Sequence, residues 1–455
     1  MTTRRCARAV LLLAACAAVA CGQSASTPPP AARADAAVDA ELAAAIAKVR
    51  AVDNHTHANS TDPRDADSDA LPLDGLPPFD LPATVRPDNP VWLPAFKTLY
   101  GYAYADFSEP HLKELRAARD RTIGERRDKF PEWVLDKAGT EVMLANRVAM
   151  GPGLAPPRFR WVSFGDALML PLPTHLVAQA TPDRTALYPL ETKLLDRYLA
   201  DLHLAKLPAT LDEYQRTVVT PTLERQRQGG AVAVKFEAAY LRSLAFDEAD
   251  LAMASRVYAQ YVNATSGDGP PQDVYRVVQD FLFRYIAREA GRLGLAVHIH
   301  SFEGAGGSYV VADSDPLLLE STFNDPSLHA TKFVIIHGGG MYADHTAGML
   351  AKSNVYADYS LVELLYPPSK VAGILRNWLT QYPDKVLFGT DASPFSPDVG
   401  WDVAAVAGTA AAREELGLAL TAMIQAGEVT RPRAEEIATM VLRTNAAKLY
   451  NLGLK

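Results

Sequence analysis

The chain has 455 residues, 48% hydrophobic and 22% charged, an ordinary soluble globular composition with room for one large α/β domain or two medium ones. Its formal net charge of −8 carries no long run of one sign, so nothing points to nucleic acid. The only cysteines are Cys6, Cys16 and Cys21, which excludes an internal disulfide, a thiolate metal ligand or a cysteine nucleophile in the rest of the chain.

The first segment reads as a targeting signal. Arg4, Arg5 and Arg8 form a basic start, and Ala9 to Ala20 is an apolar run short of the roughly 20 residues that cross a bilayer. Leu13-Ala14-Ala15-Cys16 and Ala18-Val19-Ala20-Cys21 both resemble the lipobox of bacterial lipoproteins. Cys21 is favoured because it leaves the fuller apolar run and precedes a linker, Gly22 to Pro30. The expectation is a signal over 1–20, a disordered tether over 21–37 rich in Ala, Pro, Ser and Thr, and a barrel over 38–455. The protein would be exported, periplasmic or attached to the bacterial membrane through lipidated Cys21. Cleavage without a lipid is the alternative.

A short helix from Asp39 to Val49 leads into a strand that closes on Asp53-Asn54-His55-Thr56-His57. Residues 58–95 are dense in Pro and Asp with little periodicity, and read as a functional loop or lid within an insertion over 58–130. Helical patterning returns over 111–129, with one more turn at 131–137. Strand-like runs follow at 141–149, 160–170, 231–236, 295–300, 332–337, 354–359 and 385–389. Amphipathic stretches at 190–207, 271–293, 368–382 and 399–426 lie between or after them. Alternating strands and helices predict a parallel sheet, and eight such units predict a distorted (β/α)8 TIM barrel with a long insertion after strand 1. An open doubly wound sheet would need a glycine-rich turn where Asp53 to His57 stands.

In such a barrel the functional groups sit at the C-terminal strand ends. His55 and His57, at i and i+2, point the same way from strand one. Strand four carries Lys235, strand five ends in His298-Ile299-His300, and strand six ends in His337 before Gly338, Gly339 and Gly340. Strand eight runs into Gly389-Thr390-Asp391. One buried histidine is usually a satisfied core residue. Several converging on one mouth read better as a metal site.

This ordered set resembles the amidohydrolase superfamily. Val297-His298-Ile299-His300, Ile335-Ile336-His337-Gly338-Gly339 and Leu387-Phe388-Gly389-Thr390-Asp391 are most similar to its amidohydrolase-related (type 2) branch. The resemblance covers about residues 48–455, is strongest from Leu295 onward, and is absent over 58–130. It implies a divalent metal, zinc first, as one or two ions. His55, His57 and Asp391 would be ligands, with His300 from strand five. His337 would be a ligand or a proton carrier beyond the ligands. His298 would lie one layer deeper, as core or support. Lys235 could bridge two ions when carbamylated, bind a substrate carboxylate as a cation, or form a structural ion pair.

Such ligands leave an ion able to activate water, with Asp391 moving its proton and His337 polarising the carbonyl or steadying the oxyanion. The reading is hydrolysis of an amide, ester or lactone of a small molecule. A decarboxylase or hydratase on the same barrel is one rival; a surface lipoprotein keeping the barrel only as a binding scaffold is another. Substrate contacts are expected from Asn146, Arg147, His175, Tyr240, Arg242 and Glu303. Arg147, inside an apolar strand, needs a partner, and a substrate carboxylate is one option. His111, His203, His329 and His345 read as surface residues. The His-Gly-Gly-Gly run matches a lipase oxyanion loop, yet no Gly-x-Ser-x-Gly elbow accompanies it. Gly304 to Gly307 does not have phosphate-loop spacing.

Overall fold

The computed structural model describes residues 37–454 apart from 66, 72–75, 78 and 266. The signal, both lipobox cysteines and all but the last residue of the tether lie outside the described residues.

Eight parallel strands follow one another around a barrel in chain order. They are β1 (Ala51–Thr56), β2 (Thr140–Asn146), β3 (Phe159–Phe164), β4 (Ala231–Phe236), β5 (Ala296–His300), β6 (Phe333–Ile336), β7 (Val355–Asp358) and β8 (Val386–Leu387). Parallel strands covered on both faces favour near-continuous apolar runs, and β6, Phe-Val-Ile-Ile, is buried at every position. The ring closes where β8 runs on beside β1. Asn54 N donates to Phe388 O at 2.9 Å, Asp391 N to His55 O at 2.8 Å, and His57 N to Ala392 O at 2.9 Å.

Val52, Leu144, Val162, Val334, Ile336 and Leu387 form one apolar cluster with Tyr450 and Leu452 from the end of the chain. A larger cluster joins strands to the surrounding helices, among them Gln272–Leu293 and Pro368–Gln381. Among the described residues no helix is long and apolar enough to cross a membrane.

Three segments differ from the sequence reading. The run expected over 160–170 ends as a strand at Phe164, and Asp166–Met169 forms a 3-10 turn. The turn starts after Gly165, where close packing admits no side chain: a Cβ would stand 2.8 Å from Phe236. The helix expected over 190–207 starts earlier, at Pro182, where the Thr181 hydroxyl caps Arg184 N, and ends at Asp201. The insertion is more than a loop. It contains the helix Leu93–Tyr100, whose short span between Pro94 in its first turn and left-handed Gly101 leaves too little sequence to show a period. Trp92, Phe96, Leu99 and Phe130 build a core of their own against Val403 and Ala404 of the helix Trp401–Gln425.

Candidate metal centre

Local backbone geometry aims the first ligands. Strict alternation after inward-facing Val52 would send His55 outward, but register shifts interrupt the β1–β2 ladder between Asp53 and Thr56. Both Asn54 and His55 therefore reach buried partners inside the barrel: Asn54 meets Asp358, and His55 meets Lys235. Asp53 is fully buried and pins the opposite strand, accepting from Thr390 Oγ1 at 2.6 Å and Thr390 N at 3.1 Å. Burial pushes its carboxyl up to about 8 despite those bonds. Asp391 itself takes a left-handed φ of 48°, and His337 one of 64°, conformations that cost a side-chain residue roughly 1–2 kcal/mol each.

The result is a compact trio. His55 Nε2 lies 3.1 Å and His57 Nε2 3.4 Å from Asp391 Oδ1. Ligand atoms of all three fall within 4.8 Å of one another. Ligands at zinc-like bond lengths in a tetrahedron stand roughly 3.3 Å apart, so the spacing fits a small divalent ion. His300 Nε2 is buried with no hydrogen-bond partner and stands outside that trio.

The charges agree. Burial, backed by the Lys235 ammonium, holds His55 well below its usual range, and burial does the same to His300. Both are neutral and able to ligate. For His57, burial pulls down, but the carboxylates of Asp69 and Asp391 outweigh it and raise the imidazole to about 10. Asp391 resists the upward pull of burial and is held well below the carboxylate range by hydrogen bonds from His55 and His57.

His337 stands edge-on to His55 and His300, with ring centroids 5.1 and 4.8 Å away. Its Nδ1 is 3.0 Å from the Ser360 carbonyl, which can only accept, so that nitrogen carries the proton and Nε2 is bare. Burial pushes this imidazole down to about 4. The three glycines after it have positive φ, and a Cβ on Gly338 or Gly340 would come within 2.3 Å of Trp378 or Phe302. Close packing of a turn explains the triplet. Lys235 is fully buried, with Nζ 3.3 Å from His55 Nε2 and 3.7 Å from Glu237 Oε1.

The substrate candidates scatter. Asn146 stands behind the trio, its Nδ2 2.6 Å from His55 Nδ1. Arg147 is fully buried and taken up by Asp65 at 2.6 and 2.8 Å and by Ala58 O at 2.8 Å. Arg242 is likewise enclosed, 2.6 Å from Asp280 and 3.0 Å from Gln279. His175 is exposed, bonded to Gln179 at 3.0 Å. Glu303 joins two loops, accepting from Tyr366 Oη at 2.7 Å and facing Met341 N at 3.4 Å. Besides Asn146, Tyr240 touches a candidate ligand, with its ring centroid 4.6 Å from that of His300. His298 is buried deeper, 2.7 Å from Tyr450 Oη. His203, His329 and His345 are exposed, and half-buried His111 stacks on Tyr104.

Sequence reasoning missed the supporting groups. Asp358 accepts from His337 N at 2.7 Å, Ser360 Oγ at 3.0 Å and Asn54 Nδ2 at 2.8 Å. Asp69, from the insertion, reaches within 2.9 Å of His57 Nδ1. Asp358, at the C-terminal end of β7, could have been found by its place; Asp69 carries no pattern.

Comparison with known proteins completes the picture. The family model described as Amidohydrolase matches residues 203–452, more than half of the chain. Comparison with curated proteins finds no match. Among solved structures the chain is similar to glucuronate isomerase from Caulobacter crescentus, at 12% identity and a TM-score of 0.59 over 91% of this chain and 94% of that one. Uronate isomerase from Thermotoga maritima gives 12%, 0.54, 90% and 96% for the same measures. A candidate metal-dependent hydrolase from Lactobacillus casei gives 15%, 0.55, 90% and 97%. At such identities the likeness is one of fold. With the family match and the His-His-Asp trio together, the chain belongs to the amidohydrolase family and is a metal-dependent enzyme of that superfamily.

Proposed function

We propose that the protein is a hydrolase of a small-molecule amide, ester or lactone. The observation that carries this reading is the convergence of His55, His57 and Asp391 beside the unpartnered Nε2 of His300. A divalent ion held there, zinc foremost, supplies Lewis acidity and makes hydroxide available near neutral pH. Asp391 remains ionised and able to accept a proton and hand it to the leaving group. His337, neutral and bare at Nε2, suits proton acceptance or ligation rather than donation to an oxyanion. That leaves Lys235, whose Nζ lies 3.3 Å from His55 Nε2, as the side chain at the trio suited to donate to a developing negative charge.

Asp65 and Asp280 engage Arg147 and Arg242, which removes both as holders of a substrate carboxylate and leaves that role to Lys235 if the rival reactions hold. Zinc-loaded protein should therefore be screened against amides, esters, lactones and aromatic carboxylic acids in isotopically labelled water. Cleavage into two products, one carrying the label, supports hydrolysis, whereas label added without cleavage would mark a hydratase. Release of carbon dioxide without label would reject it. Export with lipidation at Cys21 is part of the same proposal, tested by palmitate labelling: signal should vanish in Cys21→Ser and persist in Cys16→Ser.

A further inference from the structure

The insertion after β1 begins as a strap that runs beside the end of β2 and the loop after it. Beyond His57, Ser60 Oγ donates to Pro152 O at 2.9 Å, which ties the strap to the loop after β2. Asp65 follows, accepting from Ser60 N at 2.8 Å and from both the 2.6 and 2.8 Å contacts of the Arg147 guanidinium. Arg147 also donates to Ala58 O at 2.8 Å, so one buried side chain grips the strap at two points. Asp67 comes next; its carbonyl accepts from Val148 N at 3.1 Å, and its carboxylate pairs with Arg197. Then comes Asp69, whose Oδ1 accepts from Leu71 N at 3.2 Å and whose Oδ2 lies 2.9 Å from His57 Nδ1.

A carboxylate on one nitrogen of a ligating imidazole keeps the proton there and leaves the other nitrogen bare for the ion. The separations match that division, with Asp69 Oδ2 2.9 Å from Nδ1 and Asp391 Oδ1 3.4 Å from Nε2. The Asp69 oxygen sits off the N–H direction and makes an ion-pair contact, not an aligned hydrogen bond. From this geometry we infer that Asp69 is a positioning residue of the metal centre, set in place by the Asp65–Arg147 latch. The insertion thereby helps to build the ion site. This inference rests on the reading of His55, His57 and Asp391 as ligands.

The test is zinc affinity of the intact protein at a fixed pH, measured by competition with a chromogenic chelator. Asp69→Asn keeps the shape and should weaken zinc about 10- to 100-fold. Asp65→Asn, which loosens the latch without touching the histidine, should weaken it by less. The double variant should bind no worse than Asp69→Asn alone, because both changes act through one contact. Affinity within twofold of wild type in Asp69→Asn would overturn the inference, as would full additivity of the two losses. His57→Ala is the control for the underlying reading. If His57→Ala kept full zinc affinity, the ligand assignment itself would fail, a result distinct from an inert Asp69.

Discussion

On the β1–β8 side of the mouth, three ligand atoms stand 3.1 and 3.4 Å apart along the seam where the backbones of the two strands bond directly. On the β4–β6 side, Lys235, His300 and His337 face the same space, but His300 Nε2 has no partner and the imidazoles meet only edge to edge. The first side has its spacing set by main-chain hydrogen bonds and by the Asp53 grip on Thr390. The second has its charge state set by burial, which keeps both imidazoles neutral. The contrast teaches that main-chain bonding fixes spacing on one side while burial fixes charge on the other. Under the proposed function it assigns ion holding to the first and substrate handling to the second.

The sharpest way to break this division is Asp391→Ala. It should empty the ion site in elemental analysis and cut turnover roughly 10²–10⁴-fold, since ligand and proton acceptor are lost together. His300→Ala should behave differently, keeping the ion while slowing turnover about 10²-fold. Loss of the ion in His300→Ala would erase the distinction between the sides. A third measurement follows zinc affinity against pH. Because metal-free His57 titrates at about 10, the ion must displace its proton at neutral pH. Affinity should rise by up to about tenfold per pH unit on approaching that value, with a proton released on binding. The sign for the metal-free fold is opposite. The raised His57 contributes stability that is complete below the unfolded value of 6.5 and is lost as pH rises through about 10. Lys235→Met should leave one ion per chain, as in wild type; a fall from two to one would instead mark a bridging, carbamylated lysine. His175→Ala, at an exposed position, should change neither ion content nor turnover.

Much of this was legible because strand ends are legible. Apolar runs such as Phe333–Ile336 announce buried parallel strands, and the polar residue that ends each run must lie at the mouth. That logic pointed to His55, His57, Lys235, His300, His337 and Asp391, of which the structure gathers His55, His57 and Asp391 into one candidate metal group. It could not assign the arginines, because a lone charge in an apolar strand shows that a partner exists and not which one. Arg147 found Asp65, 82 residues away in a segment with no period. Asp69 was hidden for the same reason: its role depends on the path of an irregular strap. The bulge in β1 was invisible too, yet it is what brings Asn54 and His55 inward together.

The seam between the first and last strands has a consequence for how the molecule comes together. Thr390 and its partner Asp53 are 337 residues apart, and the ligand trio straddles the same junction. No fragment that stops short of β8 can assemble the trio, so the ion site comes into being only when the ring shuts. An ion captured there acts as a clasp, binding the closed form and not the open chain, and each rise in its free concentration should lift the melting temperature. Resistance to heat with and without chelator thus reports whether the barrel has been fastened at its last joint.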